Sequence, residues 1–319
     1  MKPVCSIIIR AFNEEAHIGR LLDGILQQTV KNVEVVVVDS GSTDSTAAIA
    51  RRFNATLVSI PPSDFTFGRS LNRGIEASRG EIVLIVSAHV YPVYPDWIEQ
   101  MLKPFKDPQI ALVYGKQRGT ASSHFSEQQV FMHWFPEESS IPQDHPFCNN
   151  ANTAIRRTLW KENPYDENLP GLEDLAWAKW AFERKYKIGY VSEAEIIHVH
   201  HESWLGIHNR YKREGMAFKQ IYPNERFGIR DFLTLFAKNA LSDMVQAEKQ
   251  RQLPKQAWNI LRFRWQQFHG TYMGYRQSGP LTWQLRQSFY YPRNQVDQRM
   301  SANSRPVEPI AYDKISGGE

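Results

Sequence analysis

Residues 33–39, VEVVVVD, constrain the fold more than any other stretch of the chain. Four consecutive valines show no alternation of apolar and polar positions, so a strand built from them has to be covered on both faces. That is the environment of a central parallel strand in an α/β sheet. Parallel neighbours need crossover connections, so strands and helices should alternate around this run.

The flanking sequence meets that requirement. Pro3–Arg10 is a β-branched run ending in the polar AFNEE, and HIGRLLDGILQQT after it has the periodicity of an amphipathic helix. GSTDSTAAIARRF follows the valine run as a capped helix, and a further β-α step closes at the strand EIVLIVSAH. The pattern predicts a doubly wound α/β layer, in which ligands bind beyond the C-terminal ends of the strands, here Asp39 and Ser87 to His89. After Trp97 the pattern loosens into a segment rich in aromatics, proline and histidine up to about residue 147. A helix at DLAWAKWAFERKY and a short strand at IGYVSEAEIIHVH then follow. From about 205 to 290 the chain reads as helical, and from Asn294 it is polar. The expected division is a catalytic domain over 1–204, a basic, aromatic helical extension over 205–293 and a tail over 294–319.

Composition limits the function classes. A chain of 319 residues, 42% apolar, can bury a large core with an appendage. The two cysteines, Cys5 and Cys148, are too few for a disulfide scaffold, and MKPVCSIII lacks the apolar core of a signal peptide, so a cytoplasmic setting is expected. VEVVVV and EIVLIV are far short of the roughly 20 residues a membrane-crossing helix needs. Residues 205–319 hold 18 basic and 9 acidic side chains, so the positive surplus belongs to the C-terminal third. No nucleic-acid-binding module accompanies it, and nucleic acid is not an expected partner.

SIIIRAFNEE with VEVVVVDSGSTDST, then FTFGRSLNRGIEASRGEIV, then YPVYPDWIE, and finally the stretch from FCNNANTAI to HVHH closely resemble family 2 glycosyltransferases, over about residues 4–215. The resemblance implies a GT-A (Rossmann-like) nucleotide-diphospho-sugar transferase domain acting with inversion. It implies donor contacts at Asn13, Glu14, Asp39, Arg69, Asn72 and Ser87. A carboxylate at a strand end can accept hydrogen bonds from ribose or a pyrimidine imide, and an arginine can clasp a pyrophosphate. The base that takes the acceptor proton falls on Asp174, with Glu173 beside it. The family's Asp-x-Asp metal motif is replaced here by Ser87-Ala88-His89, and His198 and His200 fall where the family often places a metal- or diphosphate-contacting histidine. A divalent cation, Mn²⁺ or Mg²⁺, is therefore implied with His89, His198 and His200 as ligands. Imidazole in place of carboxylate either shifts the preference away from Mg²⁺ or removes the need for metal.

The resemblance further implies a nucleoside-diphosphate sugar as donor and a hydroxyl of a growing, lipid-linked glycan as acceptor, in cell-surface polysaccharide assembly. The basic, aromatic helices suit the anionic cytoplasmic face of a membrane; a packed helical subdomain is the other reading. Asp39 and residues 42–44 also read as ordinary helix caps, and Glu173–Asp174 as an acidic pair favoured by a helix N-terminus. Loss of both metal-motif carboxylates leaves a second function open, a catalytically degenerate module that binds glycan or nucleotide as a scaffold. A nucleotidyltransferase would need a glycine-rich phosphate loop after the first strand, which AFNEEAHIG does not supply.

Overall fold

The computed structural model describes residues 2–200, 202–277 and 307–312. Residues 278–293 of the expected extension and most of the expected tail lie outside the described residues.

Among the described residues eight strands form one sheet: β1 (Cys5–Ala11), β2 (Val33–Asp39), β3 (Thr56–Ser59), β4 (Ile82–Ser87), β5 (Val90–Pro92), β6 (Ile110–Arg118), β7 (Asn152–Arg156) and β8 (Lys187–His198). Their order is β3-β2-β1-β4-β7-β6-β8-β5. The first half is parallel, as expected: β1 pairs with β2 and β4, and β2 with β3. The second half corrects a purely doubly wound reading. β7 runs antiparallel between β4 and β6, and β5 antiparallel on β8. Because β7 reverses twice over, β6 and β8 return to the direction of β1 and β4.

The valine run behaves as its composition demands. Val36, Val37 and Val38 are fully buried, with Val37 in one core and Val36 and Val38 in the other. β1 and β4 divide the same way, Ile7, Ile9, Leu84 and Val86 facing one core and Ile8, Val83 and Ile85 the opposite one. Helices α1 (Ile18–Leu26), α2 (Thr46–Arg52) and α4 (Trp97–Leu102) cover the first core. Helices α3 (Phe67–Glu76), α6 (Arg157–Glu162) and α7 (Glu173–Glu183) cover the second. Each fully buried valine contributes about 1.5–3 kcal/mol. Gly74 lets α3 lie directly on the sheet, where a Cβ would strike Ile8 and Val38.

Past Trp97 the loosened sequence contains regular elements, α4, β6 and α5 (Phe125–Trp134), and β8 is a strand of 12 residues rather than a short one. The β6–β8 ladder is interrupted by register shifts, one of them between Gly115 and Gln117. There Asn152 donates to the Lys116 and Ala194 carbonyls and accepts from Trp97 Nε1, closing the gap with side-chain bonds. Both cysteines are free and buried.

Among the described residues three helices follow the sheet: α8 (Trp204–Ile221), α9 (Ile229–Lys249) and α10 (Leu253–Arg276). α10 packs on α8 through small residues, since Gly270 and Gly274 meet the His208 and Lys212 carbonyls, and Gly215 meets Thr271. Residues 307–312 return to the sheet beside β5, where Ile310 N donates to the Val93 carbonyl and the Tyr312 ring packs on Tyr91. No helix of the described residues is long and apolar enough to cross a membrane.

Candidate active site

The topology brings the C-terminal ends of β1, β2, β4, β6 and β8 to one edge of the sheet, together with the start of the reversed β7. Asp39, Ser87, Gln117, Asn150 and His198 therefore share one rim, although they are spread over 160 residues of chain.

Two loops interlock at the β1–β2 end of that rim. Asn13, at a positive φ of 54°, accepts from Thr43 N at 2.8 Å, and its own amide donates to Ser42 Oγ. Asp44 accepts from Glu15 N and Thr46 N, so it braces the loop. Asp39 is buried and accepts from Ser42 N at 3.2 and 3.3 Å. Ser87 ends β4, in register with Arg10.

Arg69 and Asn72 lie on α3 and are engaged elsewhere. Arg69 Nε donates to Glu167 at 2.7 Å, while Asn72 donates to Glu167 and the Tyr165 carbonyl and accepts from Trp160 Nε1 and Tyr165 N. Both side chains thus clamp the 165–167 loop to α3.

The acidic pair sits at the first turn of α7, after Leu172 at a positive φ of 54°. Glu173 and Asp174 are both buried. Asn150 N donates to Asp174 Oδ2 at 2.9 Å and Leu175 N to Oδ1 at 2.8 Å. Arg10 Nη1 pairs with Glu173 at 3.2 Å, and the guanidinium groups of Arg10 and Arg213 each stand 4.8 Å from the centre of the Phe67 ring. Burial, and then the Glu173 charge, raise the Asp174 pKa to about 7 against the opposing hydrogen bonds and Arg10. A carboxyl poised there is suited to accept a proton near neutrality.

His198 and His200 leave β8 on one face, as alternation requires, with their Nε2 atoms 2.9 Å apart. His89 precedes β5, whose antiparallel register brings it to His198, with ring centres 5.1 Å apart. One ring nitrogen from each of the three lies within 4.8 Å of the others. Their Nδ1 atoms turn outward, to Glu14 at 2.8 Å (His89), Gln117 at 2.9 Å (His198) and Glu127 at 2.9 Å (His200). Burial, with neighbouring His200, His89 and Arg210, pushes His198 well below the ordinary imidazole range. Burial works the same way on His89, but Glu14 and Glu202 outweigh it and raise its pKa. Burial alone would raise Glu127; His200 and Arg210 instead bring it down to about 2. Glu14, expected among the donor contacts, is here the partner of His89. Three imidazoles anchored outward through Nδ1, with one ring nitrogen each turned toward the others, fit a divalent cation.

Sequence reasoning missed Arg10, Gln117, Glu127, Asn150, Arg210 and Arg213. No motif marks them, and their partners are distant in sequence: Arg10 meets Glu173 across 163 positions, Glu127 meets His200 across 73.

A mixed sheet with helices on both faces and its chemistry gathered at one rim defines the GT-A class, to which the similar solved structures belong. One is a mannosyltransferase from Pyrobaculum calidifontis in complex with GDP-mannose and Mn²⁺ (TM-score 0.58, 18% identity, covering 85% of this chain and 87% of that one). Another is glucosyl-3-phosphoglycerate synthase from Mycobacterium tuberculosis with Mn²⁺, UDP and glucosyl-3-phosphoglycerate (TM-score 0.52, 20% identity, 69% and 79% covered). Residues 6–163 match the sequence model of glycosyl transferase family 2. Among curated relatives, an O-antigen chain rhamnosyltransferase from Salmonella typhimurium is 25% identical over 207 residues, 61% of this chain and 66% of its own length. The match thus spans just under two thirds of that relative. A glycosyltransferase from Haloferax volcanii is 26% identical over 247 residues, 73% of this chain and 79% of its own length.

Proposed function

We propose that this chain transfers a sugar from a nucleoside diphosphate to a hydroxyl of a lipid-linked glycan, with inversion, in cell-surface polysaccharide assembly. The Salmonella relative, named for O-antigen chain synthesis, supports the setting. The observation that carries the reaction is Asp174, a buried carboxyl raised to about 7 on the rim where the strands end.

In this reading Asp174 takes the proton of the acceptor hydroxyl as its oxygen attacks the anomeric carbon and the bond to the diphosphate breaks. One displacement with one base and no enzymic nucleophile inverts that centre. Asn150 N and Leu175 N hold the Asp174 oxygens. Glu173, fixed by Arg10, orients the acceptor. Asp39 and the loop of Asn13 recognise the nucleoside, and Ser87 borders the diphosphate. Arg69 and Asn72 act on the donor side by holding the 165–167 wall. His89, His198 and His200 would hold a divalent cation, which when bound neutralises the departing diphosphate.

The test is Asp174→Asn, with donor binding measured by calorimetry using UDP, GDP and dTDP, with and without Mn²⁺. Transfer should fall by about 10²–10⁴-fold with nucleotide affinity nearly intact. Unchanged turnover would remove Asp174 as the base. Absence of binding to every nucleotide would favour the degenerate scaffold instead.

A further inference from the structure

We infer that His89, His198 and His200 form a three-imidazole tripod selective for a first-row transition cation over Mg²⁺, and that Arg210 of α8 is a positioning residue for it. The inference rests on the transferase reading only for what the ion would neutralise; the site itself stands on geometry.

All three histidines have an oxygen partner at Nδ1, and for two of them that partner is a carboxylate, Glu14 and Glu127. A carboxylate that is ionised can only accept, so it fixes the hydrogen on Nδ1 and leaves Nε2 as a lone pair. His198 and His200 bring their Nε2 atoms within hydrogen-bond distance, 2.9 Å, close enough for one cation to take both in place of the proton between them. Two nitrogens bound to one tetrahedral ion at about 2.0–2.1 Å stand about 3.3 Å apart, within the spread of this group. Imidazoles anchored through their second nitrogen are the usual outer arrangement of such sites.

The anchors come from three places: Glu14 from the β1–α1 loop, Gln117 from β6 and Glu127 from α5. Glu127 is held in turn by Arg210 Nη2 at 2.9 Å, and Arg210 Nε is ion-paired with Glu202 at 2.8 Å. Glu127 and Glu202 also come close enough to His200 to group with it as cation ligands, but Arg210 engages both. Within the tripod itself every donor is an imidazole nitrogen. Mg²⁺ prefers oxygen ligands and gives up its water reluctantly, whereas imidazole suits later divalent ions. Through Arg210 the helical extension thereby becomes part of the site.

The experiment uses the full chain stripped with a chelator and titrated with Co²⁺ alone, followed by its visible absorption, with Zn²⁺ and Mg²⁺ as competitors. One equivalent of Co²⁺ should bind, be displaced by Zn²⁺ and resist excess Mg²⁺; His198→Ala should abolish the bands. Glu127→Gln and Arg210→Met should weaken Co²⁺ binding about 10–100-fold while circular dichroism shows the fold retained, and Arg210→Lys should restore part of it. No Co²⁺ bands, or equal competition by Mg²⁺, would overturn the tripod. An undiminished affinity in Arg210→Met would overturn the role of Arg210. Nucleotide binding run in parallel separates the two readings: nucleotide without Co²⁺ removes the tripod and keeps the transferase, and Co²⁺ without nucleotide does the reverse.

Discussion

Arg10 pairs with Glu173 beside Asp174, and the coupling between Arg10 and Asp174 is measurable. Burial and Glu173 raise the Asp174 pKa to about 7, while Arg10, paired with Glu173, pulls it down. A base works only when unprotonated, so kcat/KM for transfer should level off above pH 7 and fall tenfold per pH unit well below it. Arg10→Met removes the opposing cation, and the acid limb should then move to higher pH. Profiles of both proteins check this, and coincident limbs would uncouple Arg10 from the titration. The division between legible and illegible residues follows the same chemistry. Asp39, Asp174 and His198 stand inside local patterns that a sequence displays. Arg10, Asn150 and Glu127 act through partners that only the folded sheet brings near. Arg69 and Asn72 stand inside such a pattern too, and the fold adds bonds the pattern does not display, to Glu167 and to the Tyr165 carbonyl.

Elements were legible where burial imposed a period. The valine run and its β-branched neighbours required a doubly covered parallel half-sheet, and that half was read correctly. β7 was not visible, because five residues of NTAIR carry no signal of direction, and direction is set by pairing with β4 and β6. The helices α9 and α10 were visible as helices, but not what joins them. Arg264 makes two bonds to Asp243, at 2.7 and 2.9 Å, with both side chains about 5% exposed. A desolvated pair adds little net stability over an apolar one, yet losing one partner strands the other charge. Asp243→Ala should therefore destabilise the chain by about 3–5 kcal/mol in urea titration, whereas Asp243→Leu combined with Arg264→Met should recover most of it. Equal losses in the single and double variants would show that packing, not the stranded charge, sets the cost.

At the scale of the whole molecule, the basic extension meets the candidate site through Arg210 and Arg213 of α8, and the end of the α9–α10 hairpin near its turn has a distinct character. Leu241, Val245 and Trp258 are exposed near the turn joining the helices, Trp258 at 73%, and Lys249, Arg251, Lys255 and Arg262 are exposed around them. Ile229 and Leu233 continue the apolar exposure along α9. Apolar side chains ringed by cations match a membrane surface in two ways, by insertion at the headgroup boundary and by attraction to anionic lipid. A lipid-linked acceptor would be presented at such a surface, which gives this tip a place in the proposed reaction. The purified chain should sediment with vesicles containing phosphatidylglycerol and much less with phosphatidylcholine alone, and added salt should release it. Each basic side chain near the surface is worth about 1 kcal/mol. Leu241→Ala with Trp258→Ala should lower binding to the anionic vesicles by at least about tenfold, since each removes an apolar group worth about 1.5–3 kcal/mol when buried. If the variant binds as the parent does, the tip is a solvated hairpin and the acceptor reaches the rim by another route.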